Sequence, residues 1–289
     1  MKLGIFGFPT DLSLDVCTLA REAEERGYHS FWLPDHSHIP SSRRTPPGGR
    51  RTSRPRELPD EYRRNIDVMC GLAAAAAVTS EIELGTGVCL VAQRDPIWTA
   101  KEVATIDQLS GGRFRFGIGF GWNREEMGHH GLEFATRRAK GREHVLAMRA
   151  LWTEEEASFS GEYVHFEPSW AWPKPLQRPH PPIYFGGAPV ADLFDQIVEF
   201  GDGWMPTAPD ALDPAPIAEL RRRAEAAGRD PDSLVLGVFA PKPDLDHLRE
   251  LETMGYHWAA LQVRPAPARD ERETLDRYQP LLEAFGART

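Results

Sequence analysis

The 289-residue chain reads as an α/β protein of the (β/α)8 barrel class. Short runs of apolar, β-branched and aromatic residues alternate with longer stretches of helical period, the pattern of βα units around a parallel sheet. Eight such runs can be counted, and eight strand–helix units with insertions need about 250 to 300 residues. A hydrophobic content of 41% supplies one large core, so residues 1–289 are read as a single domain without a linker.

The expected strands are LGIFGF (3–8), SFWLP (30–34), IELGTGVCL (82–90), RFRFGIG (113–119), PIYFGG (182–187), GWMP (203–206), LVLGVFA (234–240) and AALQV (259–263). After the first, LSLDVCTLAREAEERG sets Leu12, Val16, Leu19, Ala20 and Ala23 on one helical face, and Gly27 stops it. Later helices are expected in EYRRNIDVMCGLAAAAAVTS, PIWTAKEVATIDQLSGG, RAKGREHVLAMRALW, APVADLFDQIVEFG, APIAELRRRAEAAG, DLDHLRELETMG and ERETLDRYQPLLEAFG. Two insertions break the rhythm. One is an arginine-rich loop after the second strand; the other, residues 154–181, reads as a hairpin turning at Gly161 and then Pro-rich extended chain.

Net charge is −9, which argues against a nucleic-acid partner. Cys17, Cys70 and Cys89 are widely spaced and suggest neither a disulfide framework nor a zinc knuckle, as expected of a cytoplasmic protein. The N-terminus is unlike a signal peptide, and GLAAAAAV is too short to span a bilayer, so no membrane association is expected.

A barrel gathers its site at the C-terminal strand ends. Those ends offer Phe8, Asp35 and His36, Gly87 and Val88, Gly119 to Asn123, Gly186 and Gly187, Trp204, and Gln262 to Arg264. The FGGAP stretch opens a helix with exposed backbone donors and suits a phosphate, although two glycines also make an ordinary turn. GIGFGW lacks the third glycine of a dinucleotide fingerprint, since Arg124 holds that place. Gly119 and Gly121 can instead let backbone approach a flat ligand walled by Trp122, or serve as structural strand glycines.

His36 and His38 form a His-x-His, yet the later strand ends lack the histidines and aspartate of a metal-dependent hydrolase, so no metal ligand is assigned. His36 as a lone acid/base is more economical, with a hydrogen-bonded structural histidine as the plainer alternative. His129 and His130 are expected at the surface. No nucleophile-elbow motif is present.

The stretch LGTGVCLVAQRDPIWTAKEVATIDQLSGGRFRFGIGFGW, with LW at 151–152, QRPHPPIYFGGAP and GDGW, resembles the bacterial-luciferase-like monooxygenase superfamily over residues 1 to about 206. It is most similar to the branch assigned the deazaflavin coenzyme F420. The resemblance implies a flavin or deazaflavin in the mouth, its ring against a bulge with a non-proline cis peptide at Gly87–Val88. It further implies that Asp35 and His36 lie near the reactive ring edge and that Gly186 and Gly187 hold a phosphate. Some F420-dependent sugar dehydrogenases carry a glutamate where Trp122 stands, so a substrate-side acid is not expected here and the substrate face should be more apolar.

The resemblance also gives the arginines a use. Arg43, Arg44, Arg50, Arg51, Arg54 and Arg56 fill the second strand's loop, and Arg63 and Arg64 are read as opening the next helix. Coenzyme F420 ends in an oligoglutamate tail and FMN in its phosphate, so a basic flap fits the longer polyanion better. A solvated Pro/Gly-rich loop is the alternative. The expected activity is hydride exchange between F420 and a small organic substrate, with His36 handling the proton. A separate enzyme would reduce the coenzyme, and a homodimer is expected from the family. The alternatives are an FMN-dependent monooxygenase using O2, a metal-dependent hydrolase, and a flavin-binding protein without activity.

Overall fold

The computed structural model describes residues 1–46 and 57–286. Its strands are β1 (Lys2–Gly7), β2 (Ser30–Leu33), β3 (Glu83–Thr86), β4 (Cys89–Leu90), β5 (Phe114–Gly119), β6 (Ala157–Ser160), β7 (His165–Ser169), β8 (Ile183–Gly186), β9 (Gly203–Met205), β10 (Val235–Phe239) and β11 (Trp258–Val263). The parallel order β3-β2-β1-β11-β10-β9-β8-β5 closes because β3 also pairs with β5. β4 resumes the line of β3 after a bulge, so the barrel has the eight strand positions the sequence predicts. β6 and β7 pair antiparallel as the expected hairpin, with Gly161 N–H donating to the Val164 carbonyl at 2.8 Å.

The helices are α1 (Val16–Glu25), α2 (Val68–Val78), α3 (Pro96–Leu109), α4 (Arg124–His129), α5 (Arg137–Thr153), α6 (Ala191–Phe200), α7 (Ala208–Ala211), α8 (Ala215–Ala226), α9 (Leu245–Thr253), α10 (Ala268–Arg277) and α11 (Gln279–Phe285). Asp15, Asp67, Asp95, Asn123 and Asp244 cap five of them through side-chain oxygens, each worth about 1 kcal/mol. Three boundaries differ from the sequence expectation. Leu12 is exposed and precedes α1, whose start is fixed by Asp15. Arg63 and Arg64 do not open α2: Asp60–Arg63 form a separate 3-10 turn, and the Asp67 cap starts the helix at Val68. The last expected helix divides at Tyr278, because Pro280 lacks the N–H that a continuous helix needs.

The barrel interior is plugged. Trp32 and Trp258 stack at 4.6 Å between ring centroids, with Tyr184, Met205, Phe239 and Ala260 around them. Two strand glycines make the stack possible: a Cβ on Gly85 would lie 2.2 Å from the Trp32 ring, and one on Gly237 would lie 2.0 Å from that of Trp258. A second core of Ile5, Phe31, Leu33, Leu84, Phe116, Ile183 and Phe185 with helix residues fills the space between sheet and helices. With its interior solid, the barrel can receive a ligand only at an end. Among the described residues no helix is long and apolar enough to cross a membrane.

Candidate active site

At the C-terminal mouth, β3 stops at Thr86 and the Gly87–Val88 peptide is cis, as the resemblance implies. The Gly87 N–H donates to the Leu33 carbonyl at 2.6 Å, and Thr86 Oγ1 donates to the Gly117 carbonyl at 2.6 Å. The bulge is therefore held from both neighbouring strands. Val88 lies over β5 and β8, where a Cβ on Gly119 or Gly186 would approach its methyls to 2.4 and 2.6 Å. These two glycines thus make room for Val88, and Gly121, at φ +73°, turns the chain over Met127. Phe6, Gly87, Val88 and Gly186 are part-exposed, whereas Ile5, Leu33, Thr86 and Ile118 beneath are at most 1% exposed. The mouth therefore has an open, largely apolar floor, flanked by Phe8, whose ring is 5.1 Å from that of Phe6.

Asp35 and His36, adjacent at the end of β2, have different roles. The Asp35 carboxylate accepts from the Leu90 N–H at 2.9 Å and from Arg94 Nε and Nη2 at 2.8 Å each. It ties β2 to the far side of the bulge and is buried doing so. Next to it, His36 Nδ1 lies 2.8 Å from Glu126 Oε2, while Glu126 Oε1 accepts the Ser37 N–H at 3.2 Å. The two side chains are 7% and 1% exposed. A carboxylate can only accept, so Nδ1 carries the hydrogen and Nε2 is left with the lone pair when the ring is neutral. Nε2 makes no hydrogen bond to any described residue. Position 122 carries no acid, but a carboxylate reaches His36 from Glu126, one helical turn further on.

Trp122 and Tyr62 wall this histidine. The ring centroids are 5.7 Å apart for His36–Trp122, 5.5 Å for His36–Tyr62 and 6.3 Å for Tyr62–Trp122. Burial holds the Tyr62 phenol above its ordinary range, Glu61 acts in the same sense, and the charge of Arg264 opposes both. The Arg43 guanidinium lies over the Trp122 ring at 5.6 Å.

The loop that carries Arg43 is docked on α4. Glu125 accepts from the Arg44 N–H at 2.9 Å and from the Thr45 hydroxyl at 2.6 Å. The Thr45 and Arg44 donors outweigh partial burial and hold its carboxyl down at about 2. His38 Nε2 meets His129 Nδ1 at 2.8 Å, and Ser37 Oγ meets His130 Nε2 at 2.6 Å, so the two exposed histidines of α4 and its cap grip the same loop. Arg50 and Arg51, with Arg54 and Arg56, lie outside the described residues.

A different cationic group borders the Gly186–Gly187 end of β8. The Arg124 and Arg137 guanidinium groups lie 3.8 and 3.6 Å from the Phe134 ring centroid, and Arg138 lies 3.5 Å from Asp192 in the first turn of α6. Arg137 Nε and Arg138 Nε are buried without a hydrogen-bond partner. Desolvation, reinforced by Arg138 and Arg124, pulls the Arg137 guanidinium down to about 10. The N-termini of α5 and α6 carry no side-chain cap, so both leave first-turn N–H groups without a side-chain acceptor, although Asp192 places a negative charge in the first turn of α6. Gly187, at φ +137°, adopts a backbone that L side chains rarely take, and its carbonyl is fixed by Trp204 Nε1 at 3.0 Å. Asp192 is the one carboxylate that faces these guanidinium groups among the described residues.

Glu126, Tyr62, Arg124, Arg137 and Arg138 were not among the sequence candidates. One signal was available: Asn123-x-x-Glu126 after a strand has the form of a capping box, which marks a helix start. In the structure Asn123 does cap α4, but Glu126 turns to His36 instead of back to the cap.

The luciferase-like monooxygenase family model matches residues 14–285. An uncharacterized protein of Mycobacterium tuberculosis is 44% identical over 247 residues, 84% of this chain and 86% of that protein. An FMNH(2)-dependent dimethylsulfone monooxygenase of Pseudomonas putida is 33% identical over 152 residues, 50% of this chain and 40% of that enzyme. Among solved structures, the monooxygenase RslO1 of Streptomyces bottropensis superposes with a TM-score of 0.78 at 22% identity, covering 99% of this chain and 100% of that one. An F420-dependent secondary alcohol dehydrogenase in complex with an F420-acetone adduct superposes with a TM-score of 0.76 at 19% identity over 98% of both chains. The closed barrel, the bulge at Gly87–Val88 and the match along nearly the whole sequence lead to one conclusion: this chain belongs to the luciferase-like monooxygenase family.

Proposed function

We propose that the protein is an F420-dependent oxidoreductase that exchanges a hydride between the deazaflavin and a small organic substrate. The observation that carries this reading is the rim of Arg124, Arg137 and Arg138, where two buried guanidinium Nε atoms lack partners beside two uncapped helix N-termini. Against the single carboxylate of Asp192 the three arginines keep an excess of positive charge, which suits a phosphate continued by carboxylates. The part-exposed floor of Phe6, Gly87 and Val88 would support a flat ring, and Gly186 and Gly187 would let the chain approach its phosphate.

A bound deazaflavin would supply a carbon that gives or takes one hydride. The protein's own residues do the rest. His36 holds or releases a proton at Nε2, the unbonded nitrogen. Glu126 fixes the tautomer and the orientation of the ring, and the Ser37 N–H keeps Glu126 in place. Trp122 and Tyr62 exclude water from this side of the mouth. An FMN-dependent monooxygenase is the second reading, favoured by the sequence likeness to the dimethylsulfone enzyme. Two partner relations belong to the same proposal: a separate enzyme reduces the coenzyme, and two copies of the chain pair through α2 and α3, which expose Cys70, Ala77, Ile97 and Trp98.

The test is the double variant Arg137→Gln/Arg138→Gln, titrated with F420 of defined tail lengths and with FMN over a range of salt. F420 affinity should fall about tenfold or more, with a shallower salt dependence, and FMN affinity should fall less. Equal losses for F420 and FMN at every tail length would count against the F420 reading.

A further inference from the structure

The corner of the mouth next to His36 differs in chemistry from the anion rim, and it describes what is turned over there. Trp122, Tyr62 and His36 meet with interplanar angles of 80°, 71° and 52°. Two of these contacts are edge to face and the third is tilted, and all three residues remain part-exposed. What they present to the mouth is aromatic surface. Hydrogen-bonding capacity is sparse: among the described residues the Tyr62 hydroxyl, His36 Nε2 and the Glu61 carboxylate are without hydrogen-bond partners, and the other carboxylates nearby are taken. Asp35 is held by Arg94, Glu126 by His36 and Ser37, and Glu125 by Arg44 and Thr45. A polyol would have to give up its water-bonded hydroxyls here for few replacements.

Charge adds a second restriction. Arg43 lies against Trp122 and donates to the Thr45 carbonyl, and it forms no ion pair with a described residue. Arg264, at the end of β11, is likewise without an ion pair among the described residues, and its charge acts on the Tyr62 phenol. Glu61 acts on Tyr62 in the opposite sense. Asp11 and Asp60 are bonded to Arg64 and Arg63. The balance beside the aromatic corner is positive.

We propose that the substrate of this site is a planar, conjugated molecule carrying an anionic group, its ring against Trp122 and Tyr62 and its anion toward Arg43. This rests on reading the mouth as a redox site, and it names the substrate class for that reading. A conjugated substrate is also one in which a hydride can be added to or removed from carbon while His36 supplies or takes the accompanying proton.

The test uses binding, not turnover. 2-Naphthoate, neutral 2-naphthylmethanol and non-planar cyclohexanecarboxylate would be titrated calorimetrically into the protein alone, with F420 and with FMN. The expected result is that 2-naphthoate binds at least tenfold more tightly than either control in one or more of these states. Arg43→Gln should remove the advantage over the alcohol, with Arg43→Lys restoring part of it. Trp122→Ala should weaken 2-naphthoate about tenfold, and Trp122→Phe should recover most of that. Equal binding of the two naphthyl probes would overturn the anionic claim, and equal binding of the two carboxylates would overturn the planar one. Absence of binding in every state, or binding indifferent to Trp122→Ala, would overturn the site. If the mouth is no redox site at all, neither F420 nor FMN binds, and that failure is seen in the coenzyme titration independently of the naphthyl probes.

Discussion

Replacing Glu126 by glutamine tests the most specific contact at the mouth. Each Glu126 oxygen accepts one hydrogen, from His36 Nδ1 at 2.8 Å and from the Ser37 N–H at 3.2 Å, and the side chain is 1% exposed. Glutamine keeps one acceptor and turns the other into a donor, so in this buried site either two N–H groups face one another or His36 gives up its Nδ1 hydrogen. A hydrogen bond to a charged group is worth about 1.5–3 kcal/mol, and a buried donor left unsatisfied costs about 1–3 kcal/mol. At about 1.4 kcal/mol per factor of ten, the proton-coupled step should slow by about 10- to 150-fold. The step would be followed as single-turnover oxidation of reduced F420 by 1,4-naphthoquinone-2-sulfonate, a planar anionic hydride acceptor. Nitrogen NMR of His36 gives the readout that a general loss of structure would not: the neutral tautomer should move away from Nδ1–H, and the pH profile of the step should shift, while the coenzyme dissociation constant stays within about twofold. An unchanged tautomer together with an unchanged rate would refute the positioning role.

Four other outcomes follow. Gly119→Ala brings a Cβ to 2.4 Å of Val88 and should lower stability by about 1–3 kcal/mol and weaken coenzyme binding; adding Val88→Ala should recover part of both, as denaturant unfolding and titration would measure. Asp35→Ala leaves Arg94 without its bidentate partner and should cost about 3–5 kcal/mol in urea unfolding, far more than a surface charge would. Glu125, held at about 2, contributes to loop docking above the ordinary carboxylate range near 4.5 and loses that contribution as pH falls toward 2; Glu125→Gln should flatten the acid limb of the stability curve in this window. Trp98 is 70% exposed on α3, so Trp98→Glu should shift a dimer toward monomer in light scattering if that face joins two copies.

The barrel was legible because strand composition, helix periodicity and turn glycines agreed along most of the chain, and cis Gly87–Val88 followed from the LGTGV resemblance. The site was legible only in part. His36 and Trp122 could be chosen because they stand at strand ends. Glu126 could not, because its contact with His36 spans 90 residues and comes from a helix of six residues. Tyr62 was hidden in a segment of helical appearance until the Asp67 cap separated it from α2. Asp35 looked like a ligand contact, and its buried pairing with Arg94 is a tertiary fact that no local pattern carries. Arg50 and Arg51 lie outside the described residues, whereas Arg124 and the adjacent Arg137 and Arg138 carry no motif, and only the fold brings Arg124 and Arg137 onto Phe134 and Arg138 to Asp192 of α6.

The coenzyme is the central claim, and competition between F420 and FMN for the purified protein tests it most directly. Equilibrium titration followed by visible absorbance should give tighter binding for F420 than for FMN, by tenfold or more at low salt. The margin should shrink as salt rises, because charge on the tail carries it. FMN binding equal to or tighter than F420 across that range would contradict the account and favour the flavin monooxygenase reading.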